Sequence, residues 1–318
     1  AVRDLKFSHP KVEIDVRTAC SQIWENNPYL TPLKEKDPDV EVYKVEYPLI
    51  HNSNEGQYHF IHGYRKDIEK RLGLEIKPTK FKGDIHISKE EKSWMSQLEE
   101  MHIKDDFWII MAGGKQDFTA KWYSPDYYQE VVDHFKGKIT FVQAGEKGHW
   151  HPSLNNVINL IGKTDMRQFI RLIYHSVGVL CPVTFAMHAA VAIPQKDGRK
   201  GKNRACVVIS GGREPVQWEA YPHHRFLAIN GSMECCDNGG CWMSRCQKIG
   251  DGDEKDEKSV CLFPVKIKDD LSIPKCMEMI KPTDIIRAIE WYYEGGMLQY
   301  GSTINHPIQK VEVEKVKK

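Results

Sequence analysis

The sequence predicts an α/β protein whose second half is a doubly wound parallel sheet. Three observations carry that expectation. Between Asp106 and Ser210, short apolar runs alternate with segments of helical period. Glycines stand at the carboxyl ends of these runs, at Gly113-Gly114, Gly145, Gly162 and Gly211-Gly212. The stretch Val177 to Pro194, VGVLCPVTFAMHAAVAIP, reads as an apolar strand that turns tightly into a helix. Doubly wound sheets place their ligands at those carboxyl ends.

In the first half, helices are expected at Val2 to Lys6, Ser21 to Glu25 and Tyr58 to Leu72, the last closed by Gly73. Val12 to Val16 and Val40 to Val45 read as strands between them, so this half is expected to be α/β with its first strand missing. Lys77 to Lys92 reads as a linker, and Ser93 to Met101 as a helix opening the second half. Strands follow at Asp106 to Met111, Lys138 to Gln143, Val157 to Leu160, Val177 to Leu180 and Ala205 to Ser210. Helices are expected at Pro125 to Phe135, Asp165 to His175 and Phe185 to Ala192. Beyond Gly231 the pattern gives way to a cysteine-rich segment with a charged loop, Gly250 to Lys258, expected to be solvated. A helix from Thr283 to Glu294 and a frayed lysine-rich tail from Lys310 close the chain. The divisions are therefore residues 1–92, 93–230, 231–281 and 282–318.

Composition narrows the function classes. The 318 residues are 41% hydrophobic and 28% charged, which describes a soluble globular protein. Forty-five basic residues against forty-four acidic ones give no electrostatic case for nucleic acid or a membrane as main partner. Nothing in the sequence suggests secretion, so a cytoplasmic protein is expected. Ala1 begins inside a helix without an initiator methionine, and the natural N-terminus is expected to lie upstream.

The strand-to-helix turn leaves free backbone N–H groups above the sheet, and the helix dipole adds partial positive charge. Phosphate is the natural guest there. The same stretch is equally a plain βα unit with a core-facing His188. Gly113-Gly114 allows close backbone approach to a ligand, and Lys121, just before a helix, can meet phosphate as a point charge. Lys115 reads as a solvated lysine. There is neither a Walker loop nor a GxGxxG fingerprint, which argues against a nucleoside triphosphatase or a dehydrogenase. Gly211 to Trp218, GGREPVQW, either lines the same site or is a structural turn. His51 and His59 read as surface histidines.

Nine cysteines are many, and six of them fall between Cys235 and Cys276. Without signs of secretion, a metal is favoured over disulfides. Four thiolates close a tetrahedral site around zinc or iron. Cys236, Cys241, Cys261 and Cys276 are the expected ligands, with Cys235 as substitute and Cys246 dispensable. The site is expected to be structural and remote from the phosphate turn. Cys20, Cys181 and Cys206 read as buried packing residues.

Taken in order, a strand followed by GG and then Lys121-Trp122, the segment NLIGKTDMRQFIRLI (159–173) and CPVTFAMHAA (181–190) resemble the C-terminal half of family 9 glycosyltransferases. That family includes the bacterial ADP-heptose heptosyltransferases. The resemblance covers about residues 105 to 195, and extends loosely to Ile14 to Leu30. The cysteine-rich segment is similar to the finger of the autotransporter heptosyltransferase branch. The resemblance implies a GT-B fold, two Rossmann-like domains facing a cleft, with a C-terminal cysteine-rich metal module and the last helix packing back on the first lobe. It implies an inverting transfer of a sugar, ADP-heptose being one donor, to a glycan, lipid-linked or protein hydroxyl, with no catalytic metal. It leaves room for a homo-oligomer. Lys121 would bind the diphosphate. Thr184, Phe185 and Ala186 would offer backbone N–H groups, His188 would order the turn, and Gly162 and Lys163 would lie near the nucleoside. The family's Asp-Thr-Gly is here Val183-Thr184-Phe185, so one acidic contact and one glycine approach are missing. The family's catalytic Asp would precede Ala1, and Asp4 and Asp15 are weak substitutes. A GT-B sugar-nucleotide epimerase and a non-catalytic nucleotide-sugar-binding protein are the alternatives.

Overall fold

The computed structural model describes residues 1–45, 56, 58–199, 201, 203–268 and 270–300. His51 and the lysine-rich tail lie outside the described residues.

Among the described residues, eight strands form two sheets. Six of them are β1 (Phe107–Ile110), β2 (Thr140–Gln143), β3 (Ile158–Asn159), β4 (Gly178–Pro182), β5 (Ala205–Gly211) and β6 (Arg225–Ala228). They make one parallel sheet in the order β3-β2-β1-β4-β5-β6. β7 (Pro264–Lys268) and β8 (Leu271–Pro274) form a separate antiparallel hairpin. β1, β2, β4 and β5 are buried along their whole length, as strands covered on both faces must be. The order reverses between β1 and β4, so the switch point falls between their carboxyl ends. β6 and the hairpin were not expected from the sequence: Arg225–Ala228 is short, with a polar start, and the hairpin strands are four or five residues long with a proline at one end.

The helices are α1 (Val2–Ser8), α2 (Phe60–Leu72), α3 (Lys89–Ser93), α4 (Gln97–Glu100), α5 (Pro125–His134) and α6 (Met166–His175). After them come α7 (Phe185–Ala192), α8 (Val216–Glu219), α9 (Lys255–Lys258), α10 (Lys275–Glu278) and α11 (Pro282–Glu294). Two short helices replace the single one expected from Ser93 to Met101. Ser88 and Ser96 each start a capping box with a Glu three residues on, and these two start signals divide the segment. α6 begins with the same device, Asp165 with Gln168, and buries Ile170, Leu172, Ile173 and Tyr174 under the sheet.

Two layers pack on the sheet. On one face α6 and α7 enclose Ile109, Val142, Val179 and Val208; on the other, α5 and α11 enclose Trp108, Ile110, Leu180 and Val207. Trp108 fits because position 178 is glycine, where a Cβ would stand 2.3 Å from its ring. Arg204 is buried just before β5, and donates to the carbonyls of Tyr174, Ser176, Ala190, Ile193 and Pro194, tying the carboxyl ends of α6 and α7 together.

The first half departs from expectation. Among the described residues it contributes no strand, so the second Rossmann-like sheet is not formed there. In the Val12 to Val16 segment, Ile14 accepts from Thr31 N, and the Asp15 carboxylate takes Val16 N and Leu33 N, so its backbone is spent on loops. Val40 to Val45 has no buried face, Val42 being 74% exposed. The Lys77 to Lys92 segment is no free linker: Ile85 N bonds Ala192 O, and Glu91 pairs with Arg167 of α6. α11 also departs from expectation. Ile285, Ala288, Ile289 and Tyr292 pack beneath the large sheet, and Trp108 Nε1 donates to Tyr293 Oη at 2.9 Å, so this helix belongs to the second half. No described helix is long and apolar enough to cross a membrane.

Candidate functional site

The turn after β4 lies at the switch point. Thr184 is the N-cap of α7 with extended backbone and no side-chain cap bond, so the helix start is left uncapped by its own residue. Ala186 is buried, Phe185 is half-buried against Phe169, and His188 lies one turn in. His188 Nδ1 stands 3.1 Å from Tyr221 Oη. Burial first, then the neighbouring His59, His224 and Lys121, push its pKa down to about 3, so its ring is neutral at neutral pH.

The first half reaches this turn directly. His59 caps α2 by accepting from Ile61 N, and Phe60 follows it. The Phe60 ring lies 5.0 Å from His188 and 5.6 Å from Trp218, and His59 lies 5.0 Å from Tyr221. His59 is buried, against the expectation of a surface histidine. Burial pushes its pKa down to about 4.

Lys121 ends the short 3-10 helix after β1 and points at the turn after β5. Its ammonium stands 2.7 Å from Glu214 Oε1. Arg213 Nη1 bonds the same oxygen, and Arg213 Nε donates to Met243 O. Glu219, at the end of α8, is buried beside them and interacts with Glu214. The GGRE turn is thus part of the Lys121 neighbourhood. The sequence carried a signal for Glu214, an acid after two glycines at a strand end, and none for Glu219.

The glycines have other neighbours. A Cβ at Gly113 would meet the Trp150 carbonyl at 2.0 Å, and Gly114 exchanges both backbone bonds with Trp150. The close approach at Gly113 is therefore made by the chain's own loop. Gly162, with φ of +67°, follows the outer strand β3 next to Lys147, and Lys163 Nζ donates to Asn159 O. Both lie two strands away from β1. An open groove of about 1200 Å³ lies between the loops after β1 and β2 and the hairpin, lined by Trp122, Trp150, Gln129 and Lys268, and touches neither Lys121 nor the α7 start.

Asp4 and Asp15 are structural. Asp4 is buried and accepts from Thr79, and Asp15 holds the 31–33 loop and Arg17.

Five cysteines, Cys235, Cys236, Cys241, Cys261 and Cys276, line one enclosed cavity with Gly212 and Arg213. Its free volume of about 10 Å³ is on the order of what a single water needs, so a lone ion is the largest guest it suits. Five thiols in one wall match the ligand chemistry of zinc or iron. Among the described residues, however, no three His, Cys, Asp or Glu side chains are grouped as they would be around a metal ion. Cys246 is buried and hydrogen-bonded to Cys261, whose pKa that contact holds down, at about 7. The cavity abuts the turn after β5: a Cβ at Gly212 would stand 2.9 Å from Cys236 Sγ, and the next residue is Arg213. Cys181 and Cys206 are core residues as expected, whereas Cys20 is only half-buried.

The charged loop is not merely solvated. Arg245 is 0% exposed, and Asp251, Asp256 and Asp117 all bond its guanidinium, so the acidic run folds around one buried cation.

No protein-family model matches the sequence, and no curated protein sequence matches it. Among solved structures, the chain is similar to the E. coli ADP-heptose LPS heptosyltransferase II, at 13% identity and a TM-score of 0.42, over 68% of this chain and 54% of that one. It is similar to the family 9 glycosyl transferase of Veillonella parvula DSM 2008, at 15% identity and a TM-score of 0.46, over 73% and 59%. A third is the iron-containing dodecameric glycosyltransferase TibC of enterotoxigenic E. coli H10407, at 15% identity and 0.46, over 76% and 55%. The matches span between half and two thirds of those proteins' own length.

Proposed function

We propose that this chain is an inverting glycosyltransferase of GT-B type that takes a nucleotide-diphosphate sugar, such as ADP-heptose, and transfers the sugar to a hydroxyl. The observation that carries the reading is the placement of the uncapped α7 start and Lys121 around the β1/β4 switch point. In this reading the acceptor oxygen attacks the anomeric carbon while a base takes its proton. The departing diphosphate gains negative charge, and the α7 start with Lys121 and Arg213 would offset it, so a catalytic metal is not required. Neither Asp4 nor Asp15 is free to be the base.

Cys236, Cys241, Cys261 and Cys276 would hold one structural zinc or iron ion, with Cys235 in reserve. The single small cavity they share supports this, and closing on an ion would draw the sulfurs together. The ion's role would be to hold the module, and through it Arg213, in place.

The test is release of ADP from ADP-heptose, with and without a panel of glycan, lipid-linked and peptide hydroxyls. Transfer supports the reading. Binding of ADP without turnover supports a nucleotide-sugar-binding protein instead. Absence of both ends the donor-site reading.

A further inference from the structure

Lys121 is the cation that the donor reading reserves for phosphate, yet it is engaged. Its partner Glu214 is buried, as is Glu219 behind it. Glu214 Oε2 and Glu219 Oε1 are both shut off from solvent, and neither receives a hydrogen bond from the protein. The two side chains are close enough to share a hydrogen bond, and two buried carboxyls so placed repel unless one carries a proton and donates it to the other. Lys121 and Arg213 converge on Glu214, which makes Glu214 the ionised member and Glu219 the neutral one.

The charges then add up simply. Two cations face one carboxylate and one neutral acid, leaving a single positive charge in excess. That excess is what an incoming phosphate would meet. It vanishes if Glu219 ionises.

We propose that Glu214 and Glu219 form a buried acid pair that sets the charge of the phosphate site. Glu214 holds Lys121 until phosphate takes the ammonium, and Glu219 carries the proton that keeps the cluster positive. Both are positioning residues, acting on the ligand through Lys121. This inference rests on the donor reading above.

The surroundings agree. Burial first, then the Glu214 carboxylate, push the Glu219 pKa well above the ordinary carboxylate range. Burial also works against Glu214, but Lys121 and Arg213 overcome it and hold its pKa low. The other groups close to the cluster are His59, whose ring faces the Glu219 backbone, and His188, which is close enough to sense Lys121. Both have pKa values pushed down by burial, so neither adds charge as pH rises from neutral.

The experiment is calorimetric titration of the full chain with inorganic pyrophosphate, at about pH 6 and about pH 9. Glu214→Gln removes the competitor for Lys121 and should tighten binding about fivefold or more. Lys121→Ala should abolish that gain when combined with it. Glu219→Gln, which is neutral at both pH values, should match the wild type at the lower pH and bind no more weakly than the wild type at the higher one. Comparing the two proteins at each pH cancels the titration of pyrophosphate itself. Binding that Glu214→Gln weakens or leaves unchanged, or a Glu219→Gln protein that differs from the wild type at the lower pH, overturns the inference while the donor reading stands. If the wild type binds neither pyrophosphate nor ADP, the donor reading fails and this inference with it. Should Glu214→Gln not fold, lysine-ammonium NMR of the wild type serves. The Lys121 signal must move when pyrophosphate is added, and an unmoved signal overturns the proposal.

Discussion

A Cβ on Gly211 would stand 3.0 Å from the Sγ of Cys276, so the cysteine module rests directly on the carboxyl end of β5. Gly211 also has φ of +65°, a conformation that side chains disfavour. Gly211→Ala should therefore destabilise by about 1–3 kcal/mol through backbone strain and the clash with Met277 and Cys276. A thermal melt checks this, and an unchanged Tm would remove the packing argument.

Lys121→Ala should weaken ADP binding by about 1.5–3 kcal/mol, the worth of a charge-assisted contact. Calorimetry reads it directly. Unchanged affinity would take Lys121 out of the site.

Elemental analysis of purified protein should find about one zinc or iron per chain. Cys261→Ser should lower that content and also loosen Arg213, because the module touches the turn after β5. A metal-free protein whose stability is unaffected by chelator would sink the metal proposal.

Arg245 lies at 0% exposure with three aspartates on it, so Arg245→Met should destabilise the 250–258 loop, chiefly by leaving the Asp256 carboxylate unmatched. Denaturant unfolding measures it. A loss below about 1 kcal/mol would mean that the loop holds together by other means.

The pH dependence has a definite sign. His59 and His175 have folded pKa values of about 4 and His188 about 3, all lowered chiefly by burial from 6.5. Between those values and 6.5 the unfolded chain binds more protons, so stability is full above 6.5 and falls as pH drops toward 4. Each histidine contributes a slope of roughly 1.4 kcal/mol per pH unit in that window. Glu278 and Asp256, lowered to about 2 from 4.5 and 3.8, add to the loss only as pH falls through about 4.5 and below. Urea unfolding at several pH values tests this, and a flat profile between them would contradict neutral burial.

The second half was legible because its central strands are continuous apolar runs and the segments between them have helical period. Phe185 to Ala192 was read to the residue. The first half misled for a local reason: Val12 to Val16 alternates as a strand does, but its hydrogen bonds go to the 31–33 loop. For the site, Lys121 and the turn were visible as motifs. Glu219 was not, since its position beside Glu214 depends on α8, a single helical turn. Nor could spacing show that Trp150 fills the approach at Gly113, because that contact joins loops from two different strands.

The Phe60 ring lies 5.0 Å from His188, and that contact bears on rates as well as on shape. A helix from the first half packs against His188 of α7, so on the donor reading proposed above a ligand at that turn would have to part the contact. Association should then be slower than free diffusion allows, and should level off at high ligand concentration at the rate of parting. Phe60→Ala would raise that ceiling, and the same substitution would shorten the time a bound nucleotide stays. One aromatic ring would thus set both how long the ligand waits outside and how long it is kept.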